Sequence, residues 1–160
     1  MVQERKPKKG ESMLKFGSAI VLCLFMACCS GTRPATLGVK DGKLAPCPES
    51  PNCVSTQAGL GRHGIDPIRY TGTKEQAKQK LVQVISSMKR SEIITDEGDY
   101  IHAEFTSLIF RFIDDVEFSF DDGNKLIHFR SASRLGKSDL GANRRRMEAI
   151  RKGFEGACAQ

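Results

Sequence analysis

Apolar residues in the middle of the chain recur first with a helical period and then with a strand period. Ala77, Leu81, Val84, Ile85 and Met88 stand at i, i+4, i+7, i+8 and i+11, with Lys and Gln filling the opposite face. That stripe predicts an amphipathic helix of about four turns. Ahead of it, Thr73-Lys74-Glu75-Gln76 predicts a capping box: the Thr73 hydroxyl accepts from the Gln76 amide while the Gln76 side chain reaches back. From Glu92 the period changes to two, and residues 93–95, 100–106, 108–120 and 125–134 read as four successive strands. Residues 65–70 can start the sheet. After Gly136, Ser138 or Asp139 can cap a last helix whose stripe is Met147, Ile150 and Phe154. The order β-α-β-β-β-β-α predicts an α+β domain: an antiparallel, twisted sheet with both helices on one face.

The third and fourth strands should be joined at Asp121-Asp122-Gly123-Asn124, where Asp-Gly supplies the positive φ angles of a type I′ turn. Alternation puts Phe110, Phe112, Val116, Phe118 and Phe120 on the core face, and Asp114 has the same parity. With Asp122-Gly123 as a two-residue turn, opposed residue numbers sum to 245: Asp114 faces Ser131, Asp115 faces Arg130 and Glu117 faces His128. Sliding the turn by one residue sets Ser133 against Asp114 and Arg130 against Glu117. A carboxylate on an apolar face costs several kcal/mol unless it is hydrogen-bonded or neutralised. A bulge at Asp114-Asp115 could turn the side chain out. A buried network with Ser131, Ser133 or Asn143 could satisfy it. The third reading is a functional carboxylate with a raised pKa.

The N-terminus predicts an address rather than a fold. Arg5, Lys6, Lys8, Lys9 and Lys15 precede an uncharged run of 12 residues, 16–27, too short to span a bilayer and suited to a signal-peptide core. Met13 would also serve as a start. The stretch Leu24-Phe25-Met26-Ala27-Cys28-Cys29 resembles a bacterial lipobox, with Cys28 as the acylated residue, although Phe25 stands where a leucine is usual. Acyl chains on Cys28 would anchor the protein to a membrane. Cys29, not an aspartate, follows, which in Gram-negative lipoproteins goes with the outer membrane facing the periplasm. Residues 1–27 are therefore expected to be removed, 28–46 to form a flexible tether rich in Gly and Pro, and 47–160 to form the domain.

Charge then shrinks as a clue. The chain carries 25 Lys+Arg against 19 Asp+Glu, a formal +6, but residues 1–27 hold five of those bases and two of the acids. A net +3 over the remaining 133 residues leaves nucleic acid an unsupported partner. Cys47-Pro48-Glu49-Ser50-Pro51-Asn52-Cys53 suits a disulfide in an oxidising compartment. The alternative is a metal or redox site with His63, but zinc wants more ligands and the spacing matches no common finger. No Gly-rich phosphate loop, nucleophile elbow or metal-spaced His pair occurs, so no metal or cofactor is expected. Arg134, Lys137 and Arg144 could bind an anion at the start of the last helix. A solvated basic face, with Asp139 satisfying those amides, is the plainer reading.

Several blocks together carry a resemblance: residues 47–55 (CPESPNCVS), 102–105 (HAEF), 110–118 (FRFIDDVEF), 130–134 (RSASR) and 139–146 (DLGANRRR). In that order they resemble the domain-of-unknown-function 1499 family over roughly residues 44–155. Lys137 stands where the family commonly has an aromatic residue nearby. The resemblance implies no reaction, ligand or catalytic residue. The leading expectation is thus a non-enzymatic, lipid-anchored envelope domain that binds an anionic small molecule or an envelope protein. Its site would comprise Asp114, Asp115, Arg130, Ser131, Ser133, Arg134, Asn143 and Arg144. The rival is a hydrolase of a small anionic or lipid-derived substrate, with Asp114 as acid or base.

Overall fold

A computed structural model describes residues 31–156 of the chain. The expected signal peptide and Cys28, the expected acylation site, lie outside the described residues, as does Cys158. The elements in order are β1 (Cys53–Ser55), β2 (Ile68–Arg69), α1 (Lys74–Ser87), β3 (Ser91–Glu97), β4 (Tyr100–Thr106), β5 (Ile113–Asp121), β6 (Leu126–Ser133) and α2 (Ala142–Gly156). Every strand pairing is antiparallel, in the order β1-β6-β5-β4-β3, with β2 paired to the other half of β6. The fold is α+β, as the periodicity predicts. The additional strand is β1, too short at three residues for alternation to reveal it.

The helices form where the pattern places them. Thr73 caps α1 with the full reciprocal box, and Ala77, Leu81 and Ile85 are its buried stripe. On α2 the buried positions are Asn143, Met147, Ile150 and Phe154. These side chains join Ile101, Ala103, Phe105, Val116, Phe118, Phe120, Ile127 and Phe129 in one core. Phe118, Phe129 and Ile150 are wholly buried, and each such side chain contributes about 1.5–3 kcal/mol by leaving water.

The β4–β5 connection departs from the expected strand. β5 begins at Ile113, and Phe110 and Phe112 leave the core. The loop is closed by Ser107 N–H to the Phe112 carbonyl and Phe112 N–H to Ser107 Oγ, both 2.8 Å. Arg111 makes the reversal at φ 56°, without the glycine that would mark it in the sequence. Leu108, Ile109 and Phe110 are 69%, 78% and 67% exposed, and Phe110 stacks on Phe112 at 5.5 Å.

The β5–β6 turn differs too. Its last ladder pair is Asp121 with Leu126, leaving a four-residue loop, and the positive φ falls on Lys125 at 55° rather than on Gly123. The Asp121 carboxylate braces this loop through Asn124 N–H (3.0 Å) and Nδ2 (2.8 Å). The observed register is the slid one: Asp114 opposes Ser133, Glu117 opposes Arg130, Asp115 opposes Ala132 and Ser119 opposes His128.

Residues 31–46, expected to hang as a tether, fold over the sheet face opposite the helices. Gly38 N–H donates to Glu117 Oε1 at 2.8 Å, Leu44 N–H donates to Gln57 Oε1 at 2.9 Å, and Leu44 is buried. The Cys47–Cys53 disulfide ties this strap to β1. Both faces of the sheet are therefore covered, which permits its second face to carry buried charge.

Candidate functional site

The residues expected to form one site are divided by the sheet. Asp114, Ser131, Ser133 and Asn143 lie on the helix side, whereas Asp115, Arg130 and Arg134 lie beneath the strap. Alternation forces this, since neighbours along a strand point to opposite faces.

On the helix side Asp114 is buried and accepts from Arg146 Nη2 at 2.5 Å. Arg146 also donates to Asn143 Oδ1 at 2.7 Å and lies over the Phe105 ring at 4.8 Å. Ser131 Oγ donates to Asn143 Oδ1 (2.5 Å), and Asn143 Nδ2 donates to the Asn52 carbonyl and to Ser133 Oγ, both at 3.0 Å. This is the buried-network reading of Asp114, with a guanidinium as its counter-charge. Arg146, which the sequence reading left out of the site, stands three residues after Asn143 on the same helix turn, and that spacing is the signal that could have found it. Asp114, the acid or base of the hydrolase reading, thus has Arg146 as its ion-pair partner.

Beneath the strap the ladder sets Glu104 directly opposite Asp115, a like-charge pair that would be destabilising alone. Arg134 resolves it. Its Nε donates to Asp115 Oδ2 at 2.8 Å and its Nη2 to Asp115 Oδ1 at 2.7 Å, while Nη2 also reaches Glu104 Oε1. Arg33 on the strap donates to Glu104 at 2.6 Å, and His102 Nε2 to Asp115 Oδ1 at 2.8 Å. Burial pushes both carboxyls up, but the hydrogen bonds outweigh it and hold each below its ordinary range: Arg33 and Arg134 for Glu104, Arg134 and His102 for Asp115. Asp115 and Glu104 likewise drive Arg134 upward against its burial.

A second cluster sits beside it. Glu117, completely buried, accepts from Tyr100 Oη (2.9 Å), Arg130 Nη1 (3.2 Å) and Gly38 N–H (2.8 Å). Burial and the Glu117 charge push the Tyr100 hydroxyl well above its ordinary value. Among the described residues, Arg130 Nε is the one buried side-chain polar atom without a partner. The slid register sets Glu117 against Arg130, as observed, whereas Tyr100, His102 and Glu104 are members the sequence reading did not place here. Their common parity on β4 is the signal that could have found them.

His102, Glu104 and Asp115 bring three potential metal-ligand atoms within 4.8 Å of one another. The Arg134 guanidinium bonds both carboxylates and takes the place a cation would need. The expected anion site at the start of α2 is filled internally: the Asp139 carboxylate accepts from Gly141 N–H at 3.0 Å and Asn143 N–H at 2.7 Å. Arg144 faces elsewhere, donating to the Arg62 and Gly64 carbonyls at 2.9 and 2.8 Å. His63 Nδ1 donates to the Cys53 carbonyl (2.9 Å), while Cys53 itself is in the disulfide with Cys47, so the pair of thiolates needed for a metal site does not exist.

Accessible concave surface lies between the strap and the β1 region. A cleft of about 630 Å³ is lined by Lys40, Lys43, Leu44, Ser55, Gln57 and His63, among others. Ser55, one of the residues lining it, is the ladder partner of Arg130 on β6.

The fold and the two networks define a small α+β sheet domain stabilised by buried ion pairs on both faces. The profile of the family described as Protein of unknown function (DUF1499) matches residues 43–154, and the chain belongs to that family. Comparisons with curated proteins and with solved structures return no match. Among the described residues no helix is long and apolar enough to cross a membrane.

Proposed function

We propose that this is a lipid-anchored protein of the bacterial cell envelope whose domain is a non-catalytic binding module for a small anionic or amphipathic ligand. The observation that carries the binding reading is the cleft of about 630 Å³ lined by two lysines and a histidine together with apolar residues of the strap. Lys40, Lys43 and His63 line it with positive or protonatable groups, and Leu44, Ala45 and Pro46 supply apolar wall. That mixture suits a ligand with an acidic head and a short apolar body. Against catalysis stands the state of Asp114, Asp115, Glu104 and Glu117. Each is hydrogen-bonded to a guanidinium, so the charge of each is met within the fold itself. The anchor rests on the lipobox-like stretch ending at Cys28.

Thermal unfolding with laurate and with inorganic phosphate tests the site. Laurate should raise the melting temperature of the protein, and Lys40→Ala with Lys43→Ala should abolish the rise. A rise that survives both substitutions, or none at millimolar laurate, would discard the cleft as an anion site. For the anchor, incorporation of labelled fatty acid should vanish in Cys28→Ala; labelling that persists would move or remove the attachment.

A further inference from the structure

Among the described residues, six of the eight exposed large hydrophobics lie at one end of the sheet: Leu108, Ile109, Phe110, Phe112, Leu135 and Leu140. The ladder fixes their proximity. Thr106 pairs with Ile113, Asp114 pairs with Ser133, and Arg134 N–H donates to the Ile113 carbonyl, so loops 107–112 and 134–141 emerge side by side. Apolar side chains gathered in this way mark a contact surface rather than scattered surface chemistry. Exposed Lys89, Arg90, Arg111 and Lys137 accompany them, and Arg90 is placed there by hydrogen bonds with Thr106.

Gly31, the first described residue, lies at the same place. At Gly31 a Cβ would stand 3.1 Å from Arg134 Cβ and 3.2 Å from the Leu135 side chain. Only Cys29 and Ser30 separate Gly31 from Cys28. Three residue steps span at most about 11 Å. An acyl chain on Cys28 would therefore hold this end of the sheet against the bilayer, with no tether to lift it off.

We propose that the sheet end formed by residues 107–112 and 134–141 docks into the bilayer surface, Leu108, Ile109 and Phe110 entering the headgroup–acyl boundary while Arg111 and Lys137 meet anionic headgroups. This rests on the anchored reading for the nearness of the membrane. The chemistry fits an interfacial contact: apolar side chains on a short hairpin tip flanked by basic residues. Three of the five non-glycine residues with positive φ, Arg90, Arg111 and Leu140, also lie at this end. Leu140 holds a strained backbone with its side chain 85% exposed, an arrangement that packing within the domain does not require.

The chain contains no tryptophan, so one introduced indole reports alone. Ile109→Trp, and Leu60→Trp as a control on a distant exposed loop, would be made in the full chain. Each protein would be purified from membranes and reconstituted in vesicles of phosphatidylethanolamine with a minority of phosphatidylglycerol, some acyl chains brominated. The indole at 109 should be blue-shifted and quenched by bromine, and that at 60 should not. Adding Phe110→Ser should reduce the docking equilibrium on the order of tenfold without lowering the melting temperature. Fatty-acid labelling of the same samples separates the two ideas. Labelled protein with an unquenched indole at 109 overturns docking and leaves the anchor. Unlabelled protein with a quenched indole removes the anchor and supports docking. An unquenched indole with cross-linked dimers through this end assigns it to a second copy and overturns the proposal.

Discussion

Arg134 shows how one side chain makes a sheet face tolerable. Its guanidinium joins Glu104 and Asp115, which the ladder places opposite one another. Truncating one partner of a buried ion pair leaves the remaining charge stranded, so Arg134→Met should cost about 3–5 kcal/mol of unfolding free energy, read from urea titrations. Acidity gives the second reading. Both carboxyls have native pKa values below their ordinary ones, so the unfolded chain binds protons first as the pH falls. Their contribution is complete above the unfolded carboxylate range, about pH 4, and is lost as pH drops through the lower native values. The parent protein should therefore weaken steeply in urea below about pH 4. Arg134→Met should lack part of that acid limb, since each carboxyl then loses one of the two hydrogen-bond partners that hold it down; an unchanged limb would place the acid sensitivity elsewhere. At Asp114, by contrast, parity identified a buried acid near hydroxyls, and the nearby network contains them, but only coordinates reveal that Arg146 neutralises it.

At the level of elements, two short segments matter beyond their length. The strap is joined to β1 by the Cys47–Cys53 ring, and it lays Gly38 on Glu117. Losing that seven-residue ring in Cys47→Ala should lower stability by about 2 kcal/mol in the chain-entropy account. Hydrogen exchange at the Gly38 amide should accelerate in parallel, because the strap loses its covalent end; unchanged exchange there would mean that the strap is held by its polar contacts alone. Leu140 makes the opposite forecast. With φ at 51° and its side chain exposed, Leu140→Gly relieves left-handed strain and should stabilise the domain by about 1 kcal/mol. The same substitution should weaken docking in the bromine-quenching measurement, a trade expected when strain is kept for contact. These segments were also the least legible in the sequence. Helix α1 announced itself through its stripe and cap, and β5 and β6 through alternation. The strap has few apolar residues and binds largely through backbone groups, so neither period registers it. Loop 107–112 was read as strand because Phe110 and Phe112 keep the parity of Val116 and Phe118, and no glycine or proline marks the turn at Arg111.

For the whole molecule, the anchor, the apolar end and the cleft fall into one vertical order. Ser133 ends β6 at the proposed membrane surface, and Ser55 on the cleft wall pairs with Arg130 three positions along that strand. At about 3.3 Å per residue the cleft wall stands roughly 10 Å from the sheet end, within reach of an amphiphile leaving the outer part of a bilayer. The arrangement depends on the shortness of the link between Cys28 and Gly31. A ten-residue Gly/Ser insert between Ser30 and Gly31 tests this. Among the described residues the strap contacts begin at Gly31 and Arg33, so the melting temperature should stay where it is. Lengthening the link from three residue steps to thirteen lowers the effective concentration of the apolar end at the bilayer by roughly tenfold. Quenching of the indole in Ile109→Trp should fall accordingly while fatty-acid labelling remains complete. If the hairpin inserts with enough affinity of its own, the insert will leave quenching unchanged, and the hairpin rather than the short link sets the orientation. A drop in melting temperature instead would show that residues before Gly31 support the strap, and that the domain is bound to its anchor by more than proximity.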